Sequence, residues 1–178
     1  EGLAREILLT FPLVQAIDLE VIKPWAPIGL HLDHVSVRIH REWHTAYIAL
    51  GSNMGDRKRY LDTAVERLKQ MDDSRVVQVA DYLETEPYGR VQQDAFLNSV
   101  LELRTLQTPE ELLETLHIIE QEAKRERTVR WGPRTLDLDI LFYDREVIDT
   151  PELHIPHIDL ENRDFVLLPM AQIAPYLR

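Results

Sequence analysis

From residue 45 onward, the hydrophobic pattern of the chain alternates between a period of two residues, as in strands, and a period near 3.6, as in helices. The segments follow in the order strand, helix, strand, strand, helix, strand. This βαββαβ order is typical of the ferredoxin-like α+β plan. Because that plan hosts many unrelated activities, the pattern predicts a fold and leaves the function open.

Two capping signals support the predicted helices. Asp56 can cap the first helix, because its side chain can accept a hydrogen bond from a free amide of the first turn. Pro109 suits the first turn of the second helix, where its missing amide hydrogen costs nothing. The strands are predicted at residues 47–50, near 76–80, around 96–103 and at 136–142.

The pattern before residue 42 forms a separate group. It predicts a helix that ends before Pro12 and two alternating strands, at residues 16–22 and 35–39. One helix and two strands form too small a core to stand alone. We therefore predict two parts, with residues 1–44 as the end of a domain whose beginning is missing and residues 45–178 as a domain of their own.

Composition narrows the class of protein. Hydrophobic residues make up 44% and charged residues 29%, the balance of a soluble globular protein. No apolar run approaches 18 residues and no signal peptide is visible, so we expect no membrane association. Cysteine is absent, which excludes disulfides, thiolate zinc sites and a cysteine nucleophile, and fits a cytoplasmic location. The net charge of −11 argues against nucleic acid as a partner.

The charge is nevertheless uneven. Five cations and one anion lie between Lys124 and Arg134. Such a basic segment in an acidic protein favours a small polyanion as ligand. From charge alone, a solvated basic helix end explains the segment equally well.

Asp137 and Asp139 follow this segment directly. Alternate side chains of a strand share a face, so both carboxylates point one way, about 7 Å apart at Cα. Such a pair can hold Mg²⁺ while phosphate oxygens complete the coordination. A solvent-facing acidic edge is the plain alternative. The neighbouring Arg125, Arg127 and Arg134 favour the first interpretation, because arginine binds phosphate oxygens through planar, bidentate contacts.

The segment Arg-Trp-Gly-Pro-Arg-Thr-Leu-Asp-Leu-Asp at residues 130–139 resembles the signature of the 6-hydroxymethyl-7,8-dihydropterin pyrophosphokinases. Other motifs of that family follow in the right order, at residues 48–53, 85–89, 96–98, 156–157 and 162–165. The resemblance covers about residue 45 to residue 178. It implies transfer of pyrophosphate from MgATP to the pterin hydroxyl, with AMP and the pterin diphosphate as products, in tetrahydrofolate synthesis.

The resemblance also assigns roles to individual residues. It implies that Asp137 and Asp139 bind magnesium, as two ions, and that Arg125 and Arg134 assist the transfer. The residues expected to bind the nucleotide are His117, Glu120, Arg127, Trp131, Ile140, His157 and Arg163. The residues expected to bind the pterin are Thr85, Pro87, Tyr88, Phe96, Asn98 and Phe165.

Some of these residues also have plain structural interpretations. Without the resemblance, Asn98 would be expected to satisfy backbone groups, Phe165 to lie in the core and Trp131 to pack its own loop. His117, Phe96 and Ile158 depart from the residues common in the family. We expect these departures to change affinity and not the reaction.

The beginning of the chain resembles a second family. The run Leu-Glu-Val-Ile-Lys-Pro-Trp-Ala-Pro-Ile at residues 19–28, followed by Asp-His-Val at 33–35, resembles the end of dihydroneopterin aldolase. The resemblance implies a partial tunnelling fold, places Lys23 at an active site and is compatible with a homo-oligomer formed through this part. We expect a bifunctional full-length protein, and no aldolase activity from this chain, because the upstream catalytic Glu and Tyr are missing.

Two other functions fit the predicted fold. One is a different Mg²⁺-dependent nucleotide enzyme. Formation of ADP instead of AMP would indicate this alternative. The other is an RNA-binding ferredoxin-like module, which the negative charge and the lack of a basic-aromatic strand motif disfavour.

Overall fold

The computed structural model describes residues 1–24, 33–87, 93–123 and 133–176. The chain divides into two compact units, Glu1–Trp43 and His44–Arg178. Among the described residues, no helix is both long enough and apolar enough to span a membrane.

The first unit is a helix packed on a hairpin. Helix α1 (Gly2–Thr10) buries Ala4 and Leu8 completely. Strands β1 (Ala16–Lys23) and β2 (Val35–Glu42) pair antiparallel along their whole length. The helix and both strands occur where the apolar spacing predicts them.

The second unit is built on one antiparallel sheet. Its strands are, in spatial order, β4 (Ser74–Val79), β6 (Phe96–Thr105), β3 (His44–Ser52) and β7 (Asp137–Tyr143), and the short β5 (Leu83–Thr85) also pairs with β6. Two helices, α2 (Arg57–Lys69) and α3 (Pro109–Glu122), connect strands of this sheet. Apart from the short additional strand β5, the element order is the βαββαβ order predicted from the sequence.

Both predicted helix starts are confirmed. The Asp56 carboxylate accepts a hydrogen bond from the Arg59 amide at 3.1 Å. Thr108 and Glu111 cap α3 reciprocally, and Pro109 occupies its first position. These caps satisfy amides that have no partner within the helix.

The sheet is covered on both faces. On one face, α2 and α3 pack against Ile48 and Leu50 of β3. On the other face, α4 (Asp164–Ile173) packs against Tyr47 and Ala49. The sequence pattern did not predict α4, although this helix closes the face that carries the candidate site.

The segment between β7 and α4 folds back along β7. It contains the hairpin β8 (Ile148–Asp149) and β9 (His154–Ile155), then a 3₁₀ turn at Leu160–Asn162. The His157 amide donates to the Leu141 carbonyl at 3.1 Å. This contact fixes the segment beside the central part of β7.

Candidate active site

Strand β7 presents two carboxylates on the face of the sheet that α4 covers. Asp137 is paired with Gly51 of β3, and Asp139 with Ala49. The alternate residues Leu138 and Ile140 are each only 3% exposed and belong to the opposite core. The predicted arrangement, with carboxylates on one face and aliphatic side chains on the other, is confirmed.

The two carboxylates border a small cavity. Its volume is about 70 Å³. Six other predicted site residues line it together with the two aspartates: Thr85, Phe96, Asn98, Arg134, Arg163 and Phe165. The cavity therefore gathers residues from β5, β6, β7 and the start of α4, which are far apart in sequence.

Each carboxylate faces its own guanidinium. Arg134 Nη1 lies 2.6 Å from Asp137 Oδ2. Arg163 Nη1 lies 3.4 Å from Asp139 Oδ2. Two neighbouring carboxylates repel each other, and these arginines offset that repulsion.

The backbone of Arg134 is held in place by Asn53. The Arg134 amide donates to Asn53 Oδ1 at 2.8 Å, and the Asn53 amide donates to the Arg134 carbonyl at 3.1 Å. The Asn53 side chain also donates to Gln93 Oε1 at 3.1 Å. The Arg134 guanidinium carbon lies 5.4 Å from the centre of the Phe96 ring, within the range of a cation–π contact.

The opposite wall of the cavity carries an amide and small residues. Asn98 Nδ2 donates to Thr85 Oγ1 at 2.8 Å. A Cβ atom at Gly51 would lie 3.0 Å from Asn98 Oδ1, so only glycine leaves the amide its full space. Phe165 lies at the rim, with the Arg163 guanidinium carbon 5.8 Å from its ring centre. An amide flanked by aromatic rings can bind a flat heterocycle by its edge and its faces.

A second concave surface adjoins the cavity. It is an open groove of about 780 Å³ between α3, β7 and the β8–β9 hairpin. Four predicted nucleotide residues lie along it, namely His117, Glu120, Ile140 and His157. Asp139 lines both the groove and the cavity. The two surfaces therefore meet at Asp139.

His157 stands at this junction in its neutral form. Burial lowers the pKa of its imidazole, and although the Asp139 carboxylate acts in the opposite direction, the net shift is downward. Its Nδ1 lies 3.2 Å from the Asp159 amide, which can only donate. We therefore assign the proton of the ring to Nε2, the atom that lies 3.8 Å from Asp139 Oδ2.

Glu120 has a structural contact in addition to its place on the groove. Its Oε1 accepts a hydrogen bond from the buried Leu138 amide at 2.8 Å. Strand β7 lies at the edge of the described sheet, so this amide faces away from β3. The glutamate therefore satisfies a backbone donor between the two aspartates.

The donor set of the cavity fits Mg²⁺. Carboxylate oxygens are the hard ligands that Mg²⁺ prefers, and it commonly takes one or two of them together with substrate phosphates. Within the described ranges, no group of three or more His, Asp or Glu side chains converges as a metal site. Asp137 and Asp139 would thus hold the ion with ligands from the substrate.

The remaining predicted residues are distributed as follows. Tyr88, Arg125, Arg127 and Trp131 lie outside the described residues. Pro87 is described but is not among the residues lining the cavity or the groove. Lys23 is exposed at the end of β1, in the first unit.

Two residues that were not predicted to belong to the site contact its arginines. Asn53 holds the backbone of Arg134, and the family motif at residues 48–53 was the only signal for it. Asp159 contacts the Arg163 guanidinium at 3.2 Å. An aspartate in a segment without periodicity gives no such signal, because the contact depends on how that segment folds back.

Two acidic side chains faced by arginines on an antiparallel sheet, beside an open groove, form a charged site of the kind that enzymes of phosphoryl transfer use. Residues 47–175 match the family described as 7,8-dihydro-6-hydroxymethylpterin-pyrophosphokinase (HPPK). The chain belongs to this family.

Curated relatives support the same assignment. The chain is 51% identical over 129 residues to a 2-amino-4-hydroxy-6-hydroxymethyldihydropteridine pyrophosphokinase of Bacillus subtilis, covering 72% of this chain and 77% of that protein. It is 41% identical over 132 residues to the protein of the same name in Pseudomonas aeruginosa, covering 74% and 82%. It is also 41% identical over 129 residues to the bifunctional protein FolKE of Lactococcus lactis subsp. cremoris, of which it covers 37%.

Proposed function

We propose that this chain transfers the pyrophosphoryl group of ATP to the hydroxymethyl oxygen of 6-hydroxymethyl-7,8-dihydropterin in folate synthesis. The observation that carries the proposal is the junction at Asp139, where a small cavity with an amide and aromatic rim meets an open groove. Membership of the pyrophosphokinase family supports ATP and 6-hydroxymethyl-7,8-dihydropterin as the two substrates.

The cavity is the proposed pterin site. Asn98 offers an amide that can donate to and accept from the edge of a pterin, while its contact with Thr85 fixes its orientation. The rings of Phe96 and Phe165 offer faces or edges to the heterocycle. The predicted contribution of Tyr88 comes from the family resemblance alone.

The groove is the proposed nucleotide site. His117, Glu120 and Ile140 line it together with Asp139 and His157. An ATP molecule bound along it would bring its phosphates to the edge of the cavity. Arg127 and Trp131 remain expected members of this site on the resemblance.

The reaction is a direct displacement. The pterin hydroxyl oxygen forms a bond to the β-phosphorus, the bond from that phosphorus to the oxygen bridging the α- and β-phosphates breaks, and AMP leaves with that oxygen. The hydroxyl proton passes to solvent, and we assign no general base. Mg²⁺ held by Asp137 and Asp139, as one ion or two, would neutralise part of the phosphate charge.

The arginines supply the remaining positive charge. Arg134 and Arg163 each already place a guanidinium beside the carboxylates. A phosphate oxygen arriving at the same place can accept their charge-assisted hydrogen bonds. Arg125 stays the second expected catalytic arginine on the resemblance.

The first unit carries a separate proposal. We propose that residues 1–44 are the C-terminal part of a dihydroneopterin aldolase and that the full-length protein is bifunctional, with a homo-oligomer formed through the aldolase portion. The aldolase-like motif, with Lys23 at the end of β1, supports this proposal. Retro-aldol cleavage of dihydroneopterin by the full-length protein, lost on Lys23→Ala, would test it.

A direct assay tests the main proposal. We expect AMP to form only when MgATP and 6-hydroxymethyl-7,8-dihydropterin are both present, and to disappear with EDTA. ADP in place of AMP would contradict pyrophosphoryl transfer and favour another nucleotide enzyme on this fold. Pterin-independent release of AMP would contradict the proposed acceptor.

A further inference from the structure

Asp159 contacts the arginine that faces Asp139. Its Oδ2 accepts a hydrogen bond from Arg163 Nε at 3.2 Å, and its Oδ1 accepts one from Asn162 Nδ2 at 3.1 Å. Both oxygens are engaged, so the orientation of the carboxylate is fixed from two sides. Its side chain is 33% exposed, and it lines the cavity.

The contact of Asp159 with Nε of Arg163 determines the orientation of the guanidinium. Arginine presents its donors in a rigid planar fork. Because Asp159 engages Nε, Nη1 is left to face the cavity, where it lies 3.4 Å from Asp139 Oδ2. Arg163 is thus shared between one carboxylate that borders the groove and one that does not.

The charge state of Asp159 agrees with this role. Hydrogen bonding by Asn162, followed by that of Arg163, lowers the pKa of the Asp159 carboxyl. The carboxylate is therefore ionised at neutral pH. Paired with Arg163, it brings little net negative charge to the place where phosphates would arrive.

We propose that Asp159 is a positioning residue for pyrophosphoryl transfer, which holds the Arg163 guanidinium at the junction of the cavity and the groove. The proposal rests on the proposed phosphate contact of Arg163. An arginine fixed in advance loses less side-chain freedom when it contacts the nucleotide. Asp159 contributes through Arg163, whose Nε it engages.

Steady-state kinetics on a double-mutant cycle test the proposal. The variants are Asp159→Ala, Asp159→Asn, Arg163→Ala and the double variant Asp159→Ala/Arg163→Ala. Glu161→Ala is the matched control, because Glu161 is an exposed acid on the same 3₁₀ turn. For each protein, KM for ATP, KM for the pterin, kcat and the thermal midpoint are measured.

We expect Asp159→Ala to lower kcat/KM for ATP by roughly tenfold, the scale of one hydrogen bond to a charged group. KM for the pterin and the thermal midpoint should change little. Asp159→Asn, which keeps an oxygen acceptor for Nε, should recover part of the loss. The double variant should be no worse than Arg163→Ala alone, since Asp159 has nothing left to position.

Each contrary outcome has its own meaning. Losses that multiply in the double variant would overturn positioning through Arg163. Full activity in Asp159→Ala, with Arg163→Ala impaired, would overturn the role of Asp159 and leave that of Arg163. Full activity in Arg163→Ala would overturn both, while AMP formation by the parent protein would still support the proposed function. An equal loss of kcat/KM for ATP in Glu161→Ala would mean that any substitution in this turn impairs the enzyme. That result would also contradict a specific role of Asp159.

Discussion

Arg134 Nη1 and Asp137 Oδ2 lie 2.6 Å apart, three residues from each other in sequence. The arginine proposed to contact phosphate and the aspartate proposed to bind a cation are therefore partners of one another. The contacts of Asn53 with the Arg134 backbone hold this pair just beyond the end of β3. The guanidinium of Arg134 and the carboxylate of Asp137 are thus held together as one ion pair.

Neutralising either aspartate should remove most turnover. Asp137→Asn and Asp139→Asn each keep the size of the side chain but weaken the oxygen ligand for Mg²⁺. We expect kcat to fall by about two orders of magnitude or more, the scale of a lost catalytic charge contact. The Mg²⁺ concentration giving half-maximal activity should rise in parallel.

A magnesium titration of AMP formation measures both quantities. Asp72→Asn is a suitable control, because Asp72 is an exposed acid after α2. Unchanged magnesium dependence in both site variants would remove the proposed metal role.

Removing the guanidinium of Arg134 should slow the chemical step. Arg134→Ala deletes the charge beside Asp137, and we expect a loss of a few kcal/mol in transition-state stabilisation, or about 10²–10³ in kcat. Arg134→Lys keeps the charge but loses the planar fork, so it should recover only part of the rate.

Single-turnover measurements separate this effect from substrate binding. Arg145→Ala provides the control, since Arg145 is exposed after β7. If Arg134→Ala turns over at the parental rate, Arg134 contributes only to the structure of the site and not to the chemical step.

The sequence predicted the sheet and its carboxylates because both depend on local periodicity. Alternation in β7 gave the faces of Asp137 and Leu138, and the capping residues gave the starts of α2 and α3. These features follow from residues close in sequence, so no tertiary information was needed.

The segment after β7 could not be predicted in the same way. Helix α4 contains Pro169 inside an almost uniformly apolar run, which obscures its helical period. The contact of Asp159 with Arg163 depends on the return of this segment along β7. Only tertiary structure brings these residues to the cavity.

A side chain at Gly51 should disturb pterin binding specifically. In Gly51→Ala, the added Cβ would lie 3.0 Å from Asn98 Oδ1, so the amide must shift by a few tenths of an ångström. Catalytic geometry is sensitive to such displacements, and we expect KM for the pterin to rise by about tenfold. KM for ATP should change less, since Gly51 is not among the residues lining the groove.

Initial-rate kinetics with each substrate varied in turn provide the comparison. Gly2→Ala is the matched control, because a Cβ there meets no atom within 4 Å. Equal effects on both Michaelis constants would indicate a general distortion of β3 and contradict the specific effect.

The structural and functional contributions of Glu120 should be separable. Glu120→Ala leaves the buried Leu138 amide without its 2.8 Å acceptor, and we expect a loss of about 1–3 kcal/mol in the free energy of unfolding. Glu120→Gln keeps an oxygen acceptor at the same distance from the backbone, so its stability should stay closer to that of the parent.

Urea unfolding measures the first effect, and KM for ATP measures the second. If the carboxylate itself binds the nucleotide, Glu120→Gln should raise KM for ATP although the protein remains stable. Gln121→Ala is the control for a substitution in the last turn of α3, because Gln121 is the exposed neighbour of the buried Glu120. If Glu120→Gln keeps both the parental stability and the parental KM for ATP, the only role of Glu120 is to accept the hydrogen bond from β7. The amide oxygen of glutamine can fill that role, but it cannot replace the charge of the carboxylate.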